Sequence, residues 1–528
     1  MNSLKRQIGS RKGRQIMWNE YPRPQMKRAD WQSLNGEWTC NGQACYVPEC
    51  RFEEELLYEK KFKFARSKDR VLLHFGAVDQ IAEVRLNGVF LGRHCGGYLP
   101  FTYEVTHAIK DGDNLLQVHV IDHLDHKYPY GKQRKDRGGM WYTPVSGIWQ
   151  TVWLEEVPSR FIEDIRIKAD LKGADVELHI DDNGAKLIKN KKFNIANPIC
   201  WTPENPKLYT RKIKEADDEV EIYFALRTVS VENVRGANRV CLNGMPIFMH
   251  GVLDQGYFED GIYLPKDPKE YERDIIRLKE LGFNMLRKHI KVEPETFYYD
   301  CDRLGILVIQ DMVNSGDYNF PRDTVLGTTA SILPIKYNDR RGVIGERELF
   351  WVEHMKETIK ALRNHPSIIC WTLFNEGWGQ FCSDEFYDIA KGLDNSRLID
   401  TTSGWFAQEK SDFDSEHVYF RTKNLKPKQR PMLLSECGGY SLNLKDREAT
   451  YGYGKCKDKA ELTERIVSMY EKMVIPAIGR GLCGCIYTQL SDVEDEINGL
   501  YSYDRSTCKV DAEKMRALAE RIYGRIND

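Results

Sequence analysis

A β-rich first half followed by an eightfold parallel α/β barrel is the fold class that the sequence predicts. Two textures and one length carry that reading. Up to about residue 230, short alternating segments are separated by turn signals, with few helical patterns. From about residue 240, apolar runs alternate with amphipathic helical patterns, as in a parallel sheet wrapped by helices. The 528 residues make about three domains, placed at 1–157, 158–232 and 233–528.

Residues 1–157 read as a jelly roll. Segments 71–75, 82–86 and 115–121 alternate apolar and polar residues, and Asn87-Gly88 and Asp111-Gly112-Asp113 mark turns between them. Residues 158–232 repeat that texture as an immunoglobulin-like β-sandwich, with strands at 162–168, 175–180 and 219–226. The unit is small for such a sandwich, so short strands are expected. Residues 233–528 hold eight strand candidates, at 247–252, 283–289, 306–311, 368–375, 398–402, 416–420, 432–436 and 482–488. Helical patterns fall between most of them. Residues 271–281 place Ile275, Leu278 and Leu281 on one face, with Gly282 where a C-cap belongs. A second helix spans 349–362 and stops at His365-Pro366, and Ser383 opens a third. Eight β/α units in a stretch of this length fit a (β/α)8 TIM barrel. The weakly patterned 314–341 would be a loop on the rim of its catalytic face.

Composition narrows the function classes. A net charge of −2 gives no basic footprint for nucleic acid. No run approaches the roughly 18 apolar residues of a membrane span. Fourteen Cys without metal-binding spacing read as reduced thiols, and the basic N-terminus is followed by no apolar stretch. Both point to a cytoplasmic protein. The 11 Trp and 27 Tyr suit stacking on sugar rings, and equally suit β-sandwich cores.

Catalytic groups of a TIM barrel stand at the C-terminal ends of its strands. Two strand ends carry acids. The run Ile368-Ile-Cys-Trp-Thr-Leu-Phe374 ends in Asn375-Glu376-Gly377, and Met432-Leu-Leu-Ser435 ends in Glu436-Cys-Gly-Gly439. Each Glu follows an apolar run and precedes glycines that start a loop. Two such carboxyls about 5–5.5 Å apart cleave a glycosidic bond with retention: one protonates the leaving oxygen, the other attacks the anomeric carbon. Glu376 is expected as general acid/base and Glu436 as nucleophile.

With these motifs in view, the chain resembles glycoside hydrolase family 2, the family of β-galactosidases, β-glucuronidases and β-mannosidases. Beyond the two carboxylates the resemblance rests on Trp31-Gln-Ser-Leu-Asn-Gly-Glu-Trp38, Leu86-Asn-Gly-Val-Phe-Leu-Gly92, Gly96-Gly-Tyr-Leu-Pro-Phe101 and Gly147-Ile-Trp-Gln-Thr-Val-Trp153. Leu242-Asn-Gly-Met-Pro246 and Arg363-Asn-His-Pro-Ser-Ile-Ile369 extend it into the barrel. It implies a sugar-binding-like jelly roll, an immunoglobulin-like sandwich, a TIM barrel and retaining chemistry. Asn375 would meet the sugar 2-OH. His417 and Tyr419 would touch the sugar or orient Glu436, and Arg287 would hold Glu436 by a charge-assisted bond. Trp378 and Trp405 are candidate stacking platforms. Asp254 and Asp311 would bind hydroxyls or cap helices.

The departures bear on the sugar. Arg287-Lys-His-Ile-Lys-Val-Glu-Pro294 and Gly251-Val-Leu-Asp-Gln-Gly256 differ from the family's usual stretches. Where β-glucuronidases of the family carry Asn-x-Lys, this chain reads Glu496-Ile-Asn-Gly499, which offers an anion little attraction. The family's aromatic Trp on the eighth strand is replaced by Tyr487, a candidate pocket wall. The expectation is therefore a neutral sugar such as a β-galactoside, with uronides, β-mannosides and arabinosides as alternatives and a non-catalytic carbohydrate-binding protein as the reading from a different class. The two-carboxylate chemistry requires no cofactor and no metal. The partner is a small carbohydrate or glycoconjugate, with no nucleic acid or membrane, and relatives suggest a homo-oligomer.

Overall fold

The computed structural model describes residues 18–326, 339, 345–419, 421–426, 429–444 and 450–526. The first unit packs two antiparallel sheets face to face. A six-stranded sheet runs Gln43–Val47, Gly36–Cys40, Glu55–Phe64, Gly112–Ile121, Ile81–Leu86, Val89–Cys95. A four-stranded sheet runs Trp31–Ser33, Val152–Val157, Arg70–Phe75, Phe101–Glu104. Period-two alternation sorts the side chains: Leu116, Val118 and Val120 are buried while Leu115, Gln117 and His119 are half-buried. The buried set shares one core with Val71, Leu73 and Leu154 of the facing sheet. Asn87 and Gly88 join two of these strands with φ of +52° and +83°. Two successive left-handed residues build the tight turn whose twist matches the strands, and Asn-Gly tolerates it best.

The second unit is a small sandwich. Strands Arg160–Ala169, Gly173–Asp182 and Ala185–Asn194 form one sheet, and Tyr209–Glu215 pairs with Asp218–Phe224 in the other. Ile162, Val176 and Leu178 share a core with Ile213, Val220 and Ile222. The three expected segments fall on three of these five strands.

The barrel strands are β1 (Met249–Asp254), β2 (Met285–Lys288), β3 (Leu307–Asp311), β4 (Ile368–Asn375), β5 (Leu398–Ser403), β6 (Asp414–Val418), β7 (Met432–Gly438) and β8 (Leu482–Thr488). They correspond one for one to the eight expected strands. Parallel ladders run in the order β5-β4-β3-β2-β1-β8-β7-β6. β5 and β6 meet through side chains: Ser415 Oγ donates to Asp400 Oδ2 at 2.8 Å, and Ser403 Oγ lies 3.1 Å from His417 Nε2. Met249, Leu253, Met285, Leu307, Ile309, Leu433 and Ile486 fill the interior. Below the mouth the barrel is thus a packed core.

The helix expected at 271–281 is Glu270–Glu280, and Gly282 adopts φ +87° just beyond it, the left-handed step that ends many helices. The helix expected from 349 starts earlier, as Glu346–Leu362, because the Glu348 carboxylate accepts from the Gly345 N–H at 3.2 Å and caps its first turn. Ser383 opens Ser383–Leu393 as expected. Of the expected rim loop 314–341, residues 327–338, 340 and 341 lie outside the described residues. So do Phe420, last of the expected sixth strand, and residues 1–17, on which the expectation about a leader rests.

Candidate active site

Glu376 and Glu436 face each other across the barrel mouth. Glu376 follows β4 directly and takes the left-handed conformation, with φ +55°. That turn is held on both sides: the Glu376 N–H donates to Ser403 O at 3.0 Å, and Trp405 Nε1 donates to Glu376 O at 3.1 Å. Glu436 lies within β7. One carboxylate oxygen of each Glu and one nitrogen of His417 all fall within 4.8 Å of one another. This is near the spacing that retaining chemistry uses. The Glu376 side chain is 19% exposed and that of Glu436 only 6%. The first can meet a leaving group and water; the second sits beneath.

Arg287 organises the floor. Fully buried, it donates from Nη1 to Glu436 Oε1 at 3.0 Å and to Ser435 O at 3.1 Å, from Nη2 to Asn375 Oδ1 at 2.9 Å, and from Nε to Asp311 Oδ1 at 2.9 Å. One guanidinium thus ties together the ends of β2, β3, β4 and β7. His289 Nδ1 lies 2.7 Å from Asp311 Oδ2. Tyr419 donates its hydroxyl to Glu436 Oε2 and lies 3.0 Å from Thr488 Oγ1. Both oxygens of Glu436 are therefore gripped by donors, which fixes the carboxylate's rotation. His417 Nδ1 lies 2.7 Å from Glu376 Oε1, and its Nε2 3.5 Å from Glu436 Oε1.

The electrostatics follow from these partners. Burial pushes the Glu436 carboxyl up, but His417, the Arg287 guanidinium, His289 and the Tyr419 hydroxyl outweigh it and hold it down at about 2. Burial likewise opposes Asp311, yet Arg287 and His289 keep it below the usual carboxylate value. Asp400, buried with only weaker compensation from Arg287, Ser415 and His417, is pushed up to about 6. Burial raises the Tyr419 phenol well above its ordinary value, and the neighbouring Glu436 charge raises it further, so it stays a donor. Glu376, His417 and Glu436 are also the trio whose spacing could hold a cation. Arg287 already compensates Glu436 there.

The expected residues divide into three groups. Glu376, Glu436, Asn375, Arg287, His417 and Tyr419 come together. Asp311, Trp405 and Trp378 act one layer out. Asp311 is enclosed by Arg287 and His289 and orients the former. Trp405 braces the Glu376 backbone and packs edge-on against His417 at 5.4 Å. Trp378 is 3% exposed, wedged edge-on against Tyr130 and Trp141 at 5.6 and 5.1 Å, with Nε1 donating to Gly316 O at 2.8 Å. Its faces serve packing between units.

Asp254 and Tyr487 stand elsewhere, each one register step from an inward position. Leu253 fills the barrel interior, so Asp254 turns outward, where Lys288 Nζ donates to it at 2.6 Å. Lys288 itself lies over the Phe297 ring outside the barrel, at 4.3 Å. Thr488 faces the site through Tyr419, so Tyr487 faces away and packs against Gly438, in a cluster with Cys437 and Cys485.

Several site residues escaped the sequence reading. His289 carried a usable signal: on a strand, positions 287 and 289 share a face. Ser403 and Thr488 could have been found the same way. A polar segment of the first unit, residues 122–147, also reaches the mouth. There Tyr130 and Gly131 donate their N–H groups to Asn314 O at 3.0 and 3.3 Å, and Tyr142 donates its hydroxyl to Glu496 Oε2. Its only advance sign was its length without strand pattern.

Comparison with known proteins bears on this geometry. Residues 233–443 match the TIM barrel domain of glycosyl hydrolases family 2, and residues 49–160 match the glycosyl hydrolase 2 galactose-binding domain-like unit. A β-galactosidase of Thermoanaerobacter pseudethanolicus is 28% identical over 388 residues, covering 64% of this chain and 47% of its own length. A putative β-glucuronidase of Formosa agariphila is 27% identical over 386 residues, covering 66% of this chain and 34% of its own. The chain thus spans from a third to a half of these curated relatives. Among solved structures, a β-D-glucuronidase of Dictyoglomus thermophilum superposes with TM-score 0.72 at 18% identity, over 95% of this chain and 98% of the other. A β-galacturonidase of Eisenbergiella tayi gives 0.70 at 18%, over 96% and 98%. At such identity these structures speak for the fold.

Proposed function

The chain belongs to glycoside hydrolase family 2, and from that premise we propose that it is a retaining exo-β-glycosidase working by double displacement. The observation that carries this reading is the pairing of Glu376 and Glu436 at the ends of β4 and β7, with carboxylate oxygens within 4.8 Å. Glu376 gives its proton to the glycosidic oxygen as the bond from that oxygen to the anomeric carbon breaks. Glu436 attacks the same carbon and forms an ester. Glu376, now a base, takes a proton from water, and the resulting attack releases the sugar with its configuration retained.

The surrounding groups fit these roles. Glu436 must be ionised to attack, and Arg287 and Tyr419 keep it so. Asn375 Oδ1 accepts from Arg287, which leaves its NH2 group to serve as a donor for the sugar 2-OH. The segment 122–147 walls one side of the mouth, which suits a terminal sugar better than a threading polymer. The named relatives divide between β-galactosidases and β-glucuronidases, so the sugar is decided by the wall's chemistry. A purely carbohydrate-binding protein would have no use for two carboxylates held at catalytic spacing.

Hydrolysis of a panel of para-nitrophenyl glycosides by the wild type and Glu436→Gln tests the reading. Cleavage of a β-glycoside that disappears in the variant is the expected result. Full activity in Glu436→Gln, or a folded wild type that cleaves no glycoside, would sink it.

A further inference from the structure

Resting on the glycosidase reading, we propose that Lys132, supplied by the first unit, is the specificity-determining cation of the barrel's site. It would receive the carboxylate of a β-linked uronide in preference to a hydroxyl of a neutral sugar.

The segment that carries Lys132 leaves the six-stranded sheet after Ile121 and is docked on both flanks of the mouth. Beyond β3 it rests on Asn314; beyond β8 the Thr143 N–H donates to Glu494 Oε1 at 3.1 Å. A Cβ on Gly131 would come within 3.0 Å of Ile290 O, so the backbone lies against the chain leaving β2. Lys132 is the next residue. Its neighbour Gln133 points back into the first unit, donating to Asp79 Oδ2 at 2.9 Å and accepting from the Val145 N–H at 2.6 Å. Lys132 sits in the turn that Gly131 opens with φ +67°, on the side of His289 and Glu496. Its ammonium lies 5.8 Å from the centre of the Trp141 ring. That ring packs against Trp378, two residues beyond Glu376. The same charge is felt at His289, which also touches the Arg287 floor through Asp311, and at Glu496 in the wall.

Among the described residues, the half-buried Lys132 ammonium has neither a hydrogen-bond acceptor nor a carboxylate within ion-pair distance. A cation in a pocket wall that lies over a ring and meets no hydrogen-bond acceptor there can receive an anion. A sugar hydroxyl would offer it a dipole, whereas a carboxylate offers a full opposite charge and a charge-assisted bond. Glu496 is bound by the neutral donors Tyr142 and Asn498, and burial pushes its carboxyl up.

The test measures kcat/KM for para-nitrophenyl β-glucuronide, β-galacturonide and β-galactoside with wild type, Lys132→Met and Lys132→Arg. One uronide should be the best of the three for the wild type. Lys132→Met should lower its kcat/KM roughly 10- to 100-fold, the usual worth of a hydrogen bond to a charged group. The loss should fall mainly in KM, exceed the loss on the galactoside, and be partly restored in Lys132→Arg. A wild type that prefers the galactoside, or equal losses on acid and neutral sugars, overturns the proposal and leaves the glycosidase reading standing. Should a folded wild type cleave nothing in the wider panel, the glycosidase reading falls instead. Calorimetric titration with D-glucuronate, D-galacturonate and D-galactose then judges Lys132 alone. Tighter binding of an acid that vanishes in Lys132→Met supports its role, and equal binding of acid and neutral sugars overturns it.

Discussion

Glu436 on the floor of the barrel mouth and Glu496 in its wall are both buried, at 5% and 3% exposure, yet their carboxyls shift in opposite directions. Burial pushes each up. At Glu436, His417 and a guanidinium 3.0 Å away reverse that and leave it at about 2. At Glu496 the direct partners are the neutral Tyr142 and Asn498, and Lys132 opposes burial only from beyond ion-pair distance, so burial wins. The barrel strands build a floor whose charge is committed and compensated. The loop from the first unit builds a wall whose buried carboxylate is met by neutral donors. Equal burial thus leaves one carboxyl held below its ordinary value and the other above it, and the nearest partners decide which.

The same substitution at the two sites should break apart accordingly. Glu436→Gln should lower kcat by at least ~10^4-fold, since the amide cannot attack to form the ester, with the near-ultraviolet circular dichroism unchanged. Glu376→Ala should slow substrates with poor leaving groups by about 10^2- to 10^4-fold and activated aryl glycosides much less, because only the former need the proton. Azide should restore part of its turnover, and product analysis should find the β-glycosyl azide. Retention of full rate on both substrate types would remove Glu376 from the mechanism.

Arg287→Met probes the floor's compensation through stability. It strands Glu436 and Asp311 as buried carboxylates, a loss of about 3–5 kcal/mol near neutral pH. In the wild type, Glu436 lies below the ~4.3 of an unfolded glutamate. Its contribution to stability is full above that value and fades as pH falls through about 2. The variant lacks that contribution, so its deficit in urea unfolding should be large at pH 7 and narrow in acid, as the abandoned carboxyls take up protons. A deficit independent of pH would mean that packing, not charge, is Arg287's role. The smallest effect is expected at the wall. Glu496→Gln should change kcat by less than about 10-fold, because Glu496 stands in the wall, bound to Tyr142 and Asn498, and the amide keeps its shape there. A collapse comparable to that of Glu436→Gln would erase the distinction between floor and wall.

How much of this was readable in advance depended on how local each feature is. Glu376 and Glu436 stood out because an apolar run, an acid and a glycine lie within a few residues. Arg287 ends an expected strand and is offered there as a partner of Glu436, whereas His289 beside it goes unremarked although the two-residue spacing puts it on the same face. Asp254 is a pocket candidate from its strand end, with helix capping as its alternative, and Tyr487 from the family's aromatic at that strand; one step of register turns both outward. The expectation of a neutral sugar rested on Glu496-Ile-Asn-Gly499, where a lysine is missing. It could not weigh Lys132, because Tyr142, which carries the Lys132 segment to Glu496, lies 354 residues from it in the chain.

The sequence by itself determined the β-rich first half, the eight barrel strands and the two residues carrying the paired carboxyls. Apolar periodicity and strand-end punctuation act over a few residues and need no partner to be read. Only the tertiary structure decided that Arg287 rather than Lys288, and Thr488 rather than Tyr487, faces the mouth. It also decided that a segment of the first unit walls one side of that mouth, with Tyr142 bound to Glu496. Those outcomes depend on strand register and on packing between units. Both are settled by contacts across the whole chain, where a shift of one residue exchanges the inside of the barrel for the outside.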